Sequence, residues 1–377
     1  MTELNRYHRQ MLLPGFGEDG QRRLLRARVL IVGCGALGSV ICDMLARAGV
    51  GHLVIADRDC VELTNLQRQV LFDESDAEAG LPKAEAARRK LASINSQVRV
   101  DVIVDDVNHK NIERLAEGCD VIVDGVDNFE TRFLINDVSV KHGIPYVYGG
   151  AVGTTGMTCV FLPQHAPQSQ ESQRALRAGS PQRAPDAQTR SALHATGCLR
   201  CVFDEPPPPG TEPTCDTAGV LGPVVSIVAN HQAAETLKIL TDNLDAVCTD
   251  IVHVDLWENT HRRFDISSAL ARADCVCCGQ RRFECLDGKY ASSTTRLCGS
   301  GAVQIVPPTK HELNLSVLAD RLQAHGDVKA NAFMLRADIK DNGRSYELTV
   351  FPDGRAFVHG TTDETAAKSV YAKYLGI

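Results

Sequence analysis

The chain has 377 residues and carries 40 lysines and arginines against 47 aspartates and glutamates, a formal net charge of −7. This length exceeds one domain of roughly 100 to 150 residues, so we expect one large domain and a smaller one. The charge balance and the lack of a basic run with interleaved aromatics argue against nucleic-acid binding, and no stretch approaches the ~20 apolar residues that cross a membrane. With no apolar signal segment at its N-terminus, the protein is predicted to be soluble and cytoplasmic.

Strand-like and helix-like patterns alternate from residue 28 to about residue 162. This repetition predicts an α/β fold, a Rossmann-like, mostly parallel sheet with helices on both faces. Ligands of such sheets bind outside the carboxyl ends of the strands. Gly33, Asp57 and Asp127 all fall at such ends.

A nucleotide-binding pattern follows the first predicted strand. Gly33, Gly35 and Gly38 have the spacing that provides a tight turn, a close approach of the backbone to a phosphate, and packing of helix on strand. The next strand ends at Asp57, about the ~20 residues downstream where an acidic side chain binds a ribose hydroxyl. These features alone are compatible with an NAD-dependent oxidoreductase.

Further polar residues favour a triphosphate over a nicotinamide cofactor. Asn65, Arg68 and Lys83 add positive charge and hydrogen-bond donors near the same strand ends. Asp127 ends a later strand, with Asn128 beside it, and a carboxylate placed there is suited to Mg²⁺, which prefers oxygen ligands and substrate phosphates. Taken singly, each of these residues could equally be structural or solvated.

The composition changes twice in the second half of the chain. Residues 164–197 are rich in Gln, Ser, Pro and Ala, which predicts a disordered surface insertion. Gly222 and Pro223 then open a long amphipathic helix. We predict a large nucleotide-binding domain over residues 1–279 and a small α+β unit over residues 280–377, in which no catalytic constellation is visible.

Two Cys-x-x-Cys pairs, separated by 73 residues, offer four soft metal ligands. Cys198, Cys201, Cys275 and Cys278 would form a closed tetrahedral zinc site that clamps two distant segments together. Redox cysteines are the alternative interpretation. Cys277 gives a second possible pair with Cys275, but the two-residue gap to Cys278 is the more common ligand spacing.

Cys215 stands apart, in a loop that leads into the helix opened by Gly222. A thiol near a helix N-terminus can have a lowered pKa and act as a nucleophile. A single loop cysteine can equally be incidental.

Taken together, these motifs resemble the ThiF/MoeB family of adenylyltransferases, bacterial relatives of ubiquitin-activating enzymes. The resemblance covers roughly residues 4–280, and its matching segments are residues 6–10, 29–38, 57–69, 80–83, 124–132 and 214–219 with the two cysteine pairs.

The resemblance implies ATP- and Mg²⁺-dependent adenylation of the C-terminal glycine carboxylate of a ubiquitin-like sulfur carrier protein, ThiS-like or MoaD-like and ending Gly-Gly, for thiamine or molybdopterin biosynthesis. It also implies a homodimer and a role for each matched residue. The loop of Gly33, Gly35 and Ala36 would bind the nucleotide, and Ala36 replaces a glycine frequent in the family. Asp57 would bind the ribose, and Asn65, Arg68 and Lys83 would bind the phosphates. Asp127, beside Asn128, would bind Mg²⁺ or act at the reacting centre. Arg9 would reach the phosphates bound by the neighbouring subunit, and Cys215 matches the position at which some members form a covalent bond with the carrier.

Three other functions compete with this one. Activation of a ubiquitin-like modifier for conjugation belongs to the same class. An oxidoreductase is a second class of function, and a non-catalytic, zinc-stapled binding scaffold is a third. Residues 280–377 contain no identifiable rhodanese-like loop, so sulfur would come from a separate donor.

Overall fold

A computed structural model describes residues 4–163, 196–205, 218–270, 272–289, 295–297, 302–307, 312–341 and 343–375. Cys215 and nearly all of the predicted insertion at 164–197 lie outside these ranges.

The larger part of the molecule is built on an eight-stranded sheet with the order β3-β2-β1-β4-β5-β6-β7-β8. Its strands are β1 Arg28–Val32, β2 His52–Ala56, β3 Arg99–Ile103, β4 Val121–Asp124, β5 Tyr146–Val152, β6 Thr155–Phe161, β7 Ile251–Asp255 and β8 Thr260–Phe264. Neighbouring strands of the run β3-β2-β1-β4-β5 pair in parallel, and those of the run β5-β6-β7-β8 form an antiparallel meander. The predicted fold class is confirmed.

Helices cover both faces of this sheet. They are α1 His8–Met11, α2 Gly17–Leu24, α3 Ala36–Ala48, α4 Glu74–Glu78, α5 Lys83–Ile94, α6 Ile112–Ala116, α7 Phe129–His142, α8 Leu199–Val202 and α9 Gly222–Leu240. In β1, Val29 and Ile31 enter a core shared with α3, α5 and α9, whereas Leu30 and Val32 enter a second core under α6 and α7. Burial on both faces explains why the strand is a continuous apolar run.

A second, antiparallel sheet has six strands in the order β11-β12-β13-β14-β10-β9. Its strands are β9 Thr295–Leu297, β10 Ala302–Ile305, β11 Gly326–Ala330, β12 Leu335–Asp341, β13 Arg344–Val350 and β14 Ala356–His359, and its helices are α10 Leu315–Leu322 and α11 Glu364–Leu375. One face of this sheet packs on the two helices around Val303, Leu348 and Val358. We call this part the C-terminal unit; the division of the chain at residue 279 stays a prediction.

Within the described residues, no helix combines the length and the apolar character needed to cross a bilayer.

Candidate nucleotide and metal sites

The turn from β1 into α3 depends on glycine at two positions. Gly33 has φ 88°, and a Cβ there would lie 2.5 Å from the carbonyl oxygen of Gly125, which follows β4. A Cβ on Gly38 would collide with the carbonyl oxygen of Gly33. Gly35 precedes α3, and a Cβ there would lie 3.8 Å from Gln69 Nε2, its nearest neighbour in the described part of the chain apart from the adjoining residues. The turn is therefore packed tightly against β4 and leaves the N-terminus of α3, beginning at Ala36, open to an anion.

Asp57 lies at the end of β2, beside this turn, and two backbone N–H groups hold its carboxylate. Its Oδ2 accepts the backbone N–H of Cys34 at 2.6 Å, and its Oδ1 accepts the N–H of Asp59 at 2.7 Å. Burial raises the pKa of Asp57 to about 6, although the Lys83 cation acts in the opposite direction. The carboxylate is thus linked directly to the glycine loop, as a ribose ligand would need to be.

Lys83 begins α5 and points at a second acid, Asp59, to which the sequence patterns assign no role. Its Nζ lies 3.0 Å from Asp59 Oδ2, and its backbone N–H donates to the Asp59 carbonyl at 2.8 Å. Burial alone would lower the pKa of Lys83, but Asp59, Asp57 and Asp127 outweigh it and raise the pKa. The ammonium therefore stays charged among three carboxylates. We call Asp57, Asp59 and Lys83 the charged cluster.

Arg58 lies between the two acids of this cluster in the chain, and the sequence patterns assign it no role either. Its Nη1 donates to Asp106 Oδ1 at 2.8 Å, just beyond β3, and to Gln304 Oε1 of β10 at 2.9 Å. The only sequence signal was a charged residue directly after the acid at a strand end, and that pattern does not reveal its partners.

Asp127 is exposed in the loop between β4 and α7. Asn128 Nδ2 donates to Asp127 Oδ1 at 3.2 Å, while Asn128 Oδ1 accepts the N–H of Thr131 and so caps α7. The cap fixes the entry into the helix, and with it the position of the acid. The carboxylate faces solvent beside the turn that Gly33 and Gly125 form, which fits a Mg²⁺ shared with a nucleotide phosphate.

A buried ion pair between Asp124 and Arg132 lies beneath the loop that carries Asp127. Asp124 is fully buried and accepts hydrogen bonds from Tyr146 Oη at 2.8 Å, Arg132 Nε at 3.3 Å and the N–H of Val126 at 2.9 Å. Arg132 Nη2 donates to the carbonyls of Val126 and Gly149. Asp124 is thus committed to internal contacts.

Three predicted ligands are not bonded to this cluster. Asn65 and Arg68 lie between β2 and α4, where Arg68 Nη1 donates to the Thr64 carbonyl at 3.1 Å. Arg9 is exposed on α1. Among the described residues, none of the three is hydrogen-bonded to Asp57, Lys83 or Asp127, whereas the charges of Asp57 and Asp127 act on Lys83.

The two Cys-x-x-Cys pairs meet although they are far apart in the chain. The Sγ atoms of the predicted ligands Cys198, Cys201, Cys275 and Cys278 all lie within 4.8 Å of one another. Cys198 and Cys275 are 3.7 Å apart and Cys201 and Cys278 are 3.4 Å apart, close to the ~3.8 Å expected between sulfurs around a tetrahedral zinc ion with 2.3 Å bonds. The set therefore fits zinc.

Helix α7 holds both halves of this cysteine cluster. Asn136 Oδ1 accepts the N–H of Leu199 at 2.8 Å, and its Nδ2 donates to Cys277 Sγ at 3.3 Å. Asp137 Oδ2 accepts the N–H of Cys285 at 2.8 Å. Cys277 is thus a partner of α7, outside the set of four.

Comparison with known proteins places these features in one family. A model described as "ThiF family" matches residues 7–277. The chain is 39% identical over 374 residues to "Sulfur carrier protein ThiS adenylyltransferase" of Bacillus subtilis, covering 98% of this chain and 99% of that protein. It is 36% identical over 279 residues to "SAMP-activating enzyme E1" of Haloferax volcanii, covering 74% of this chain and 90% of that protein.

Among solved structures, the fold resembles that of MccB of E. coli determined with ATP. The TM-score is 0.55 with 23% identity, over 73% of this chain and 74% of that chain. This likeness supports the fold alone.

Proposed function

Because this chain belongs to the ThiF family, we propose that it catalyses the ATP- and Mg²⁺-dependent adenylation of the C-terminal glycine carboxylate of a ubiquitin-like sulfur carrier protein. The predicted adenylyltransferase activity is confirmed by the relatives of that name. Within the ThiS-like and MoaD-like carriers, the alignment favours the ThiS type. The Bacillus subtilis relative aligns over 98% of the chain, C-terminal unit included, whereas the Haloferax volcanii relative aligns over 74%.

The chemistry suits the charged cluster. A carboxylate oxygen of the carrier forms a bond to the α-phosphorus of ATP while the bond to the bridging oxygen breaks, and pyrophosphate leaves with the electron pair. The carboxylate is already ionised at neutral pH, so no general base is needed. The barrier lies in bringing an anion to a polyanion and in stabilising the leaving group, which fixed positive charge lowers.

Each candidate residue has a part in this proposal. Asp57 binds the ribose, and Gly33, Gly35 and Ala36 admit the phosphates to the N-terminus of α3. Asn65, Arg68 and Lys83 bind the phosphates, and Asp127 beside Asn128 holds Mg²⁺, which when bound neutralises phosphate charge. Lys83 is supported by its buried position and its three acids.

Other parts of the proposal concern assembly. The chain forms a homodimer in which Arg9 reaches the phosphates bound by the neighbouring subunit, and Cys215 is the candidate for a covalent bond to the carrier. The four-cysteine cluster holds a structural zinc ion with no open coordination position, so it takes no part in the reaction. The protein works in the cytoplasm without nucleic acid or membrane partners, and sulfur comes from a separate donor.

Exchange of labelled pyrophosphate into ATP tests the reaction directly. We expect exchange with Mg²⁺ and a ThiS-like carrier ending Gly-Gly, and none with a carrier that lacks the terminal glycine, since the attacking carboxylate would then be misplaced. Absence of exchange with every ThiS-like and MoaD-like carrier would contradict the proposal.

Activation of a modifier for conjugation is the second candidate, because the Haloferax volcanii relative is named an activating enzyme E1. The fate of the adenylate separates the two functions. A sulfur donor converts it to a thiocarboxylate in the first, whereas a lysine amine captures the carrier as an amide in the second. Mass spectrometry of the carrier's C-terminus after incubation with each acceptor distinguishes them.

A further inference from the structure

The C-terminal unit lies against the backbone segments that carry the charged cluster. Met334, just before β12, has its Sδ 2.9 Å from the Sγ of Cys60, the residue after Asp59. Phe351 and Phe357 complete this small apolar contact, against which Val104 packs from the end of β3. The contact joins the C-terminal unit to the ends of β2 and β3.

A polar contact fixes the residue between the two acids of the cluster. Gln304 of β10 is fully buried, and its Oε1 accepts a hydrogen bond from Arg58. Asp106 holds the same Arg58 nitrogen from the other side. The guanidinium is therefore clamped between the large sheet and the C-terminal unit, directly beside Asp57 and Asp59.

The segment that leads into Lys83 is held from the same side. Asn331 Nδ2 donates to the carbonyl of Ala79 at 2.8 Å. Gly80 has φ 56°, and its Cβ position lies 3.2 Å from Met334 Cε. Pro82, one residue before Lys83, forms a β-bridge with Cys60, so the two segments are also tied to each other.

A third segment is held by Arg355 in the turn between β13 and β14. Its Nη2 donates to the Val104 carbonyl at 2.6 Å, while its Nε lies 2.7 Å from Asp353 and 3.6 Å from Asp105. Arg355 is nearly fully buried. The C-terminal unit thus contacts the segment that follows β3, and this segment carries Asp106, the partner of Arg58.

We propose that the C-terminal unit is a positioning element of the nucleotide site, which holds Arg58, and through it the charged cluster, in the geometry that binds ATP. The inference rests on the proposed adenylation. Groups that bind a ligand strongly must be fixed before the ligand arrives, because ordering them on binding costs free energy. Here the segments around residues 58–60, 79–82 and 104–106 are fixed by side chains of the C-terminal unit.

The test replaces Gln304 with methionine, which keeps the side-chain volume and removes the acceptor for Arg58. Arg321→Met is the matched control. Arg321 bonds the carbonyls of Tyr374 and Leu375 within the C-terminal unit. Titration calorimetry gives the Kd for ATP in the full-length chain, pyrophosphate exchange gives KM and kcat, and thermal unfolding shows that each variant is folded.

We expect Q304M to raise the Kd and the KM for ATP by roughly 3- to 10-fold, because the lost hydrogen bond to Arg58 affects ATP only through the position of the charged cluster. The kcat and the KM for the carrier should stay within about 2-fold of wild type. R321M should bind ATP as the wild type does. If Q304M does not fold, Arg58→Lys, which keeps the charge and loses the planar fork, is expected to give the same rise.

Two results would overturn the inference. A folded Q304M with the ATP affinity of the wild type would show that the contact does not position the site, and an equal rise in R321M would show a general softening of the unit. Failure of the wild-type chain itself to bind ATP would instead refute the proposed function, and this inference with it.

Discussion

The ammonium of Lys83 lies 3.0 Å from Asp59 Oδ2, and the backbone N–H of Lys83 donates to the carbonyl of the same residue. This double contact joins the first residue of α5 to the segment after β2, 24 residues earlier in the chain. It places a permanently charged lysine beside Asp57 and within the electrostatic reach of Asp127. A phosphate that enters the site would therefore meet a cation already fixed in position.

We expect Lys83→Met to lower the kcat of pyrophosphate exchange by ~100-fold or more, because one preorganised charge at developing negative charge has about that effect. Lys90→Met is the control on the same helix, since Lys90 pairs with Asp73 and Asp76 away from the cluster. It should leave exchange near the wild-type rate. Equal losses in the two variants would mean that Lys83 acts only through the stability of α5.

Binding of the nucleoside should depend on pH through Asp57. Its pKa is raised from 3.8 to about 6, so the carboxylate is ionised above pH 6 and gains a proton as the pH falls through 6. Protonation removes the charge that strengthens its hydrogen bonds to ribose hydroxyls. The affinity for adenosine, which has no titrating phosphate, should therefore fall between pH 7 and pH 5.

Calorimetry with Asp57→Asn provides the comparison. This variant should bind adenosine more weakly at pH 7 but with no change between pH 7 and pH 5. A wild-type profile parallel to that of the variant would assign the pH dependence to another group.

The ion pair beneath the Asp127 loop should matter more for stability than a surface pair. Burial raises the pKa of Asp124, although Arg132 and Tyr146 act in the opposite direction. Arg132→Met leaves this carboxylate buried without its cation, which we expect to cost about 3 to 5 kcal/mol in the free energy of unfolding. Urea unfolding measures the loss.

A second substitution separates charge from packing. Adding Asp124→Asn to Arg132→Met removes the stranded charge, so the double variant should recover part of the lost stability. A double variant that is no more stable than Arg132→Met would show that Arg132 contributes through packing on Phe129 and Tyr148, whose rings it contacts.

Several parts of this structure followed from local sequence patterns. The inner parallel strands β1, β2 and β4 were predictable because each is a mostly apolar run buried on both faces. The outer strand β3 is only partly buried and shows the alternation of charged and apolar residues typical of a strand. The edge strand β11 was not predicted, because three of its five residues are exposed and Val328 is its single large apolar side chain. Short β9 gave no signal either.

The candidate site was only partly predictable for a related reason. Motif spacing selected Asp57, Lys83 and Asp127, which do converge, and the four cysteines that cluster. Asp59 and Arg58 carry no periodic signal, since their partners are distant in the chain. The contact of Gln304 with Arg58 spans 246 residues, and no local pattern encodes it.

The cysteine cluster yields a prediction about metal content and stability together. The purified chain should contain one zinc ion per protomer, because four thiolates complete a tetrahedral site. Cys201→Ser should lose the metal and lower the midpoint of thermal unfolding by roughly 5 to 15 °C, since zinc binding contributes to folding where it joins segments distant in the chain. Cys248→Ser, at a half-buried thiol outside the cluster, should retain both zinc and stability. A zinc-free wild-type chain with an unchanged midpoint in Cys201→Ser would show that the four thiols do not form a metal clamp.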